Sequence, residues 1–178
     1  MIKDPIRTSA TKAAFAEAFC QLSKHKPLAK ITIHELSNKA GYNRSTFYQY
    51  FRDTYDLLEF IENNLIEQIK GVLAANLREH SLADSFIMAF TKVHHENAIY
   101  YNALLQAEYF TSFIVRFKQE ILPLLAEKLV INSDDKKALY ALDFRLSGMI
   151  AVISRWLQNG RDMPAEELAE LICKLFNN

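Results

Sequence analysis

Residues 32–51 read TIHELSNKAGYNRSTFYQYF, and this stretch decides the fold of the N-terminal part of the chain. Thr32 and Glu35 match the T-x-x-E capping box that begins a helix, and Gly41 is the type of residue that ends one. Asn43 is a good N-cap for a second helix, which is predicted to run to residue 51. Two short helices joined by a tight turn that contains glycine predict a helix-turn-helix motif.

The flanking sequence predicts helices on both sides of this motif. A first helix is predicted from about Thr8 to Lys24, because its apolar residues are spaced along one face and Pro27 ends the pattern. Asp53 is the predicted cap of a fourth helix that extends toward Glu79. Half of the 178 residues are hydrophobic, and only four glycines and four prolines interrupt them. We therefore expect an all-α protein.

The charge of the chain is unevenly distributed although its total is zero. Residues 1–52 contain nine lysines and arginines but three acidic residues, a net charge of +6, so residues 53–178 carry −6. A basic N-terminal part indicates a surface that meets a polyanion, and an acidic remainder indicates a part that does not.

Motifs of the common enzyme and metal-site classes are absent from the sequence. Residues 34–38 and 95–99 begin like the zinc motif HExxH but lack its second histidine, and no GxSxG motif or phosphate-binding glycine loop is present. Cys20 and Cys173 lie far apart without CxxC spacing. We therefore expect no enzyme, no catalytic residue, no metal and no cofactor.

Membrane segments are not expected either. No stretch approaches the ~18 apolar residues of a spanning helix, and no charged start is followed by an apolar run and a cleavage site. We expect a cytoplasmic protein that has no membrane partner.

The sequence resembles one family at two places. Residues 31–58, ITIHELSNKAGYNRSTFYQYFRDTYDLL, resemble the DNA-binding region of the TetR/AcrR family of bacterial regulators in residue order, spacing and helix ends. Residues 148–176, GMIAVISRWLQNGRDMPAEELAELICKLF, resemble a C-terminal subfamily of the same regulators. The resemblance implies an N-terminal three-helix helix-turn-helix DNA-binding domain, residues 1–52, and a C-terminal helical ligand-binding and dimerisation domain, residues 53–178.

The resemblance also implies which residues meet DNA. Thr46 and Tyr48 would hold phosphates, and the residues beside them on the same helix sit where such proteins read bases. The predicted DNA-binding residues are Thr32, His34, Asn43, Arg44, Ser45, Thr46, Tyr48, Gln49, Tyr50, Arg52 and Thr54.

Three positions depart from the family pattern. Tyr50 stands in place of the usual histidine, and Ser37 stands where alanine is more common. Thr54 occupies the place of a lysine that commonly touches phosphate. Arg52 or the N-terminal N–H groups of the fourth helix can compensate for that lysine.

Aromatic residues are frequent in the C-terminal part, and two interpretations of them stay open. They line a cavity for a small apolar or aromatic effector, as in regulators of this family that sense such ligands, or they form a packed core with tyrosine hydroxyls at its margin. The predicted pocket residues are Phe86, Phe90, His94, Tyr101, Tyr109, Phe113 and Phe117.

Two amphipathic helices are predicted at the end of the sequence, the first over residues 134–159 and the second from Pro164 onward. They resemble the family's dimerisation bundle, because Ser147, Ala151 and Ser154 give the longer helix a second face that another helix can approach closely. The predicted dimer-interface residues are Leu139, Leu142, Leu146, Ile150, Ile153, Leu157, Leu168, Leu171, Ile172 and Leu175.

The sequence as a whole predicts a TetR-type transcriptional regulator. It would bind a palindromic double-stranded DNA operator as a homodimer, act as a repressor, and be released or modulated by a small effector. The alternative is a TetR-like regulator or co-activator that is controlled through a protein partner and has no small-molecule pocket.

Overall fold

The computed structural model describes the backbone of residues 5–104 and 107–177 and the side chains of residues 8–100, 103–104 and 110–175. Within these ranges it is helical and contains no strand, so the prediction of an all-α protein is confirmed. The helices are α1 (Pro5–Ser23), α2 (Ile33–Ala40), α3 (Arg44–Tyr48), α4 (Thr54–Asn76), α5 (Leu82–Glu96), α6 (Ala98–Leu104), α7 (Ala107–Lys128), α8 (Lys136–Gln158) and α9 (Ala165–Asn177).

Helices α3 and α4 end before the predicted residues, and one short element was not predicted. Helix α3 ends at Tyr48, before the predicted residue 51, because the N–H of Tyr50 bonds to the carbonyl three residues back and tightens the chain. Helix α4 ends at Asn76, whose side-chain amide donates to the carbonyl of Val72 at 2.7 Å. A 3-10 helix, Leu28–Lys30, follows α1 and was not predicted.

The chain divides by packing into two compact units. The first unit comprises Met1–Asn64 with Asn97–Glu108, and the second comprises Leu65–Glu96 with Tyr109–Asn178. Helix α4 therefore contributes residues to both units. These units are defined by packing alone. The boundary between a DNA-binding and a regulatory domain that we expect after residue 52 stays a prediction.

The core of the first unit is built around aromatic side chains from α1 and α3. Phe15 and Phe47 are fully buried, and their ring centroids lie 5.2 Å apart in an edge-to-face arrangement. Phe51 lies 5.6 Å from Phe47 and is also buried. Helices α2 and α6 both pack against α1. The short helix α3 is therefore held by its aromatic side, because five residues alone do not make a stable helix.

Candidate nucleic-acid interface

The start of α2 is fixed by the predicted capping box. The Thr32 hydroxyl accepts from the N–H of Glu35 at 3.3 Å, and the N–H of Thr32 donates to the Glu35 carboxylate at 3.0 Å. The ammonium of Lys26 also bonds to this carboxylate. These hydrogen bonds, that from Lys26 first and those from Thr32 next, lower the pKa of Glu35 to about 2. The carboxylate is therefore ionised at neutral pH, and the helix entry is held by charge-assisted hydrogen bonds.

Gly41 ends α2 in the left-handed conformation, with φ of 74°. Its N–H bonds back to the carbonyl of Asn38 at 3.3 Å, and the N–H of Tyr42 bonds to the carbonyl of Ser37 at 2.9 Å. A side chain at Gly41 would meet no atom within 4 Å, so the glycine is required by backbone conformation and not by space. The hydroxyl of Ser37, which replaces the usual alanine, is buried without a hydrogen-bond partner in the described structure.

Asn43 organises the start of α3. Its side-chain oxygen accepts from the N–H of Thr46 at 2.8 Å, from the Thr46 hydroxyl at 2.9 Å and from the Ser45 hydroxyl at 2.6 Å. Asn43 is therefore the N-cap of α3, as predicted from the sequence. The same contacts hold both hydroxyl groups in defined positions on the outer side of the helix.

The eleven predicted DNA-binding residues lie mostly at the surface. Several of them make local hydrogen bonds, such as that between Asn38 Nδ2 and His34 Nε2 at 3.2 Å. Thr32, His34, Asn43, Arg44, Ser45, Tyr48, Gln49 and Arg52 are exposed, whereas Thr46, Tyr50 and Thr54 are half-buried. Their contacts with DNA stay a prediction.

The start of α4 is capped in a similar way to α2, except that the backbone donor lies one residue before the cap residue. The Asp53 carboxylate accepts from the N–H of Asp56 at 2.9 Å, and the Asp56 carboxylate accepts from the N–H of Arg52 at 2.8 Å. The Arg52 guanidinium also contacts Asp56, with Nε 3.5 Å from the carboxylate. These hydrogen bonds and the charge of Arg52 lower the pKa of Asp56, and Asp56 raises that of Arg52. Arg52 therefore stays charged beside Thr54, where the lysine of the family pattern is missing.

Two exposed tyrosines next to this surface were not assigned from the sequence. Tyr42 lies in the turn before α3 and is 37% exposed, and Tyr55 lies in the first turn of α4 and is 60% exposed. Their phenol groups can donate to phosphate oxygens. The sequence signal that could have identified them is their position, because each directly neighbours a predicted DNA-binding residue.

Two solved structures have the same fold over nearly the whole chain. NalD, the secondary repressor of the MexAB-OprM multidrug efflux pump in Pseudomonas aeruginosa, is 18% identical with a TM-score of 0.70, and the match covers 96% of this chain and 95% of that chain. The fatty acid degradation regulator FadR from Bacillus halodurans is 13% identical with a TM-score of 0.69, covering 99% of this chain and 96% of that chain. At such identities the likeness shows the fold alone. No curated protein matches the sequence.

The family is decided by the C-terminal half of the chain. A model of the TetR-type transcriptional regulator C-terminal region matches residues 81–178, which is more than half of the sequence. The chain belongs to the TetR family of transcriptional regulators. TetR-family regulators bind DNA, usually act as dimers and are not enzymes, so the expectations of a TetR-type regulator and of no enzyme are confirmed.

In this TetR-family chain, the aromatic residues predicted to line a pocket pack against one another. The ring centroids of Phe90 and Phe117 are 5.7 Å apart, and Phe86 and Phe113 extend the same cluster at 6.2 and 6.0 Å. All four side chains are buried, as in the packed-core interpretation. His94 is half-buried and contacts Arg161, and burial is the main reason why its pKa is lowered. The side chains of Tyr101 and Tyr109 lie outside the described residues, and effector contacts of this set stay a prediction.

The residues predicted for the dimer interface divide by burial. Leu142, Leu146, Ile150, Ile153, Leu168 and Ile172 are buried within the second unit, Leu139 and Leu157 are half-buried, and Leu171 and Leu175 are exposed. The apolar stripe of α8 is thus used for packing inside the chain. Its opposite face carries Tyr140 and Phe144, which are 76% and 74% exposed.

A cavity of about 1260 Å³ lies in the second unit between α4, α5 and α9. None of the five predicted pocket residues whose side chains are described lines it.

Among the described residues, no helix combines the length and the apolarity needed to span a membrane, and no three metal-binding side chains cluster.

Proposed function

We propose that the protein is a sequence-specific DNA-binding repressor that recognises a palindromic operator as a homodimer and responds to a small effector. The observation that carries the proposal is the division of residues 41–51 into two sides. Phe47 and Phe51 are buried against the core of the first unit, whereas Arg44 and Gln49 are exposed. A helix held in this way presents its polar side to a partner, and donors of this kind suit base edges in the major groove.

The polar side offers different chemistry at each position. The Arg44 guanidinium can donate two hydrogen bonds to O6 and N7 of a guanine. The Ser45 hydroxyl donates its proton to Asn43, and its lone pairs can accept from the amino group of cytosine or adenine without breaking that bond. The Thr46 hydroxyl must turn away from Asn43 to donate to a phosphate, whereas the half-exposed Tyr48 can donate directly.

A homodimer is supported by apolar surface on the last two helices. Tyr140 and Phe144 on α8 and Leu171 and Leu175 on α9 are exposed, and large exposed apolar groups commonly mark interaction sites. Two copies related by a two-fold axis would place their recognition helices in successive major grooves, about 34 to 36 Å apart. Light scattering should give twice the chain mass. Phe144→Asp should produce a monomer, whereas Val130→Asp, which changes an exposed residue after α7, should not; a wild-type monomer at micromolar concentration overturns the homodimer.

Base reading is tested by selecting bound sequences from random double-stranded DNA. Arg44→Ala should lose about 1 to 3 kcal/mol at one base pair and relax the preference there, and Tyr48→Phe should weaken binding to selected and scrambled DNA equally. Arg78→Ala is the matched control, because Arg78 is an exposed arginine outside the helix-turn-helix. If the wild type selects no sequence, or if Arg44→Ala weakens both DNAs equally, the proposal of base reading is overturned.

The mode of regulation is tested in cells. We propose repression in the cytoplasm, because a dimer bound over a promoter excludes the polymerase. The names of similar structures support more than one mode, since NalD is called a repressor and DhaS, 18% identical with a TM-score of 0.64, is called an operon activator. Expression of a reporter gene placed behind the selected operator should rise when the protein is removed from the cells. A fall in expression would overturn the proposal of repression.

A further inference from the structure

The cavity between α4, α5 and α9 is large enough to hold a small molecule and has a partly apolar lining. Its volume of about 1260 Å³ exceeds the roughly 300 to 1,000 Å³ that is typical of such sites. Val72 and Ala75 of α4, Ile87 and Met88 of α5 and Ala169 of α9 supply apolar surface. Met88 is 41% exposed, so the cavity presents a large flexible apolar side chain to its contents.

Gly71 keeps one wall of this cavity open. It is an exposed residue inside α4, closer to the end of the helix than to its start, and glycine inside a helix costs about 1 kcal/mol relative to alanine. Its backbone is not in the left-handed region, and a side chain built on it meets no atom within 4 Å, so neither conformation nor packing in the described structure calls for glycine. The missing side chain leaves volume for an occupant.

Thr91 adds an unmet hydrogen-bonding group to the lining. Its hydroxyl is buried and has no hydrogen-bond partner in the described structure. Such groups are uncommon in native proteins, because an unpaired buried hydroxyl has lost its water without replacement. Rotation about the Cα–Cβ bond moves the hydroxyl to another staggered position, where it can bond to a polar group of an occupant.

The charged side chains that line the cavity are mainly negative, and Lys174, outside the lining, lies 3.7 Å from the Glu170 carboxylate. Glu96, Glu166 and Glu170 are exposed lining residues. Asp84 also lines the cavity, and its carboxylate accepts from the hydroxyl of Ser81, which caps the start of α5 by accepting from the N–H of Asp84. Lys92 is the one lysine or arginine among the described lining residues. An anionic ligand would be repelled here, whereas a cation with an apolar body would meet both the lining and the charge.

We propose that this cavity binds a lipophilic organic cation, an elongated apolar molecule with an ammonium-type group at the acidic rim. Binding is a property of the second unit alone. Only the description of this molecule as the effector rests on the proposed function as a DNA-binding regulator.

The test uses three probes with the same twelve-carbon tail, dodecylammonium, dodecanol and dodecanoate, each titrated calorimetrically into the full chain below its micelle-forming concentration. Dodecylammonium should bind most tightly and dodecanoate most weakly, and the preference should shrink as salt is raised. Glu166→Gln and Glu170→Gln should each lower the affinity for the cation by up to about fivefold, the range of an exposed ion pair. Glu167→Gln is the matched control, because Glu167 is exposed on the same helix but does not line the cavity.

A second variant tests the place of binding. Gly71→Leu fills part of the cavity at a helical position with free space, so the variant should fold, as circular dichroism can verify, and lose the binding of all apolar-tailed probes. Tighter binding of dodecanoate than of dodecylammonium overturns the cation assignment. Unchanged binding by folded Gly71→Leu, or no binding by the wild type, overturns the site. If Gly71→Leu converts a dimer to a monomer, a second copy occupies the cavity and the ligand proposal is overturned.

Operator binding measured on the same samples separates the two proposals. Cation binding by a protein that selects no DNA contradicts the proposed regulator and leaves the ligand site in place. Selective DNA binding without cation binding overturns the ligand site and leaves the regulator in place.

Discussion

The Asn43 side chain gives a direct test of how the recognition helix is built. Its single oxygen accepts three hydrogen bonds, from the N–H and hydroxyl of Thr46 and from the hydroxyl of Ser45. Asn43→Ala removes all three, whereas Asn43→Asp keeps an acceptor in the same place. The two variants therefore separate the cap from the charge of the surface.

The loss of stability in Asn43→Ala depends on which hydrogen-bond donors are left without a partner. The Ser45 and Thr46 hydroxyls reach solvent, since Ser45 is exposed and Thr46 is half-buried, and water replaces their lost bond at little cost. The N–H of Thr46 loses its cap, which costs about 1 kcal/mol. For a chain of this size that loss lowers the melting temperature by about 2 to 4 °C. Asn43→Asp should leave the melting temperature nearly unchanged, because aspartate and asparagine are equally good N-caps.

The assay compares stability with DNA affinity. Calorimetric melting gives the stability of the wild type and both variants, and fluorescence anisotropy gives their affinity for the selected operator at two salt concentrations. Asn43→Asp should weaken DNA binding at full stability, since it adds a negative charge beside phosphates, and the loss should be larger at low salt.

Two results would refute the reasoning. Equal destabilisation by alanine and aspartate would show that the Asn43 oxygen is not acting as the cap. Unchanged DNA affinity of well-folded Asn43→Asp would show that this side of α3 does not face DNA.

Three further predictions concern the stability of the two units. Gly41→Ala should lower the free energy of unfolding by about 1 to 2 kcal/mol, because φ at Gly41 is 74°. Gly71→Ala, also free of contacts, should raise the free energy of unfolding by about 1 kcal/mol, because alanine is the better helix former. Equal effects of the two substitutions in urea unfolding would contradict the argument from backbone conformation. The pKa of Glu35 is lowered from 4.5 to about 2 mainly by the hydrogen bond from Lys26, so its stabilisation is present above pH 4.5 and is lost as the pH falls toward 2. The melting temperature of Glu35→Gln should therefore lie below that of the wild type at neutral pH and approach it in acid, and a constant difference would exclude this linkage. Phe47→Ala should cost about 3 to 5 kcal/mol and Phe47→Leu clearly less, as measured by chemical unfolding, and a loss below about 1 kcal/mol in Phe47→Ala would mean that α3 is not anchored by this ring.

The sequence by itself determined where the helices of the DNA-binding motif begin and where α2 ends, but not where α3 ends. The capping box of Thr32 with Glu35, the cap residues Asn43 and Asp53 and the left-handed Gly41 all occur where they were predicted. These features are predictable because each depends on backbone and side-chain groups no more than four residues apart. The all-α class and the family pattern follow from the same local signals.

The tertiary structure alone decided which apolar faces are used inside the chain. The stripe of α8 that contains Leu146 is buried, while Tyr140 and Phe144 on the other side are exposed. A periodic pattern shows that a helix has an apolar face, but it does not say whether that face packs within the chain, against a second copy or around a ligand. The same limit applies to the cavity beside Gly71. Its walls come from the consecutive helices α4 and α5 and from α9, which is distant in sequence, so only their packing could reveal it.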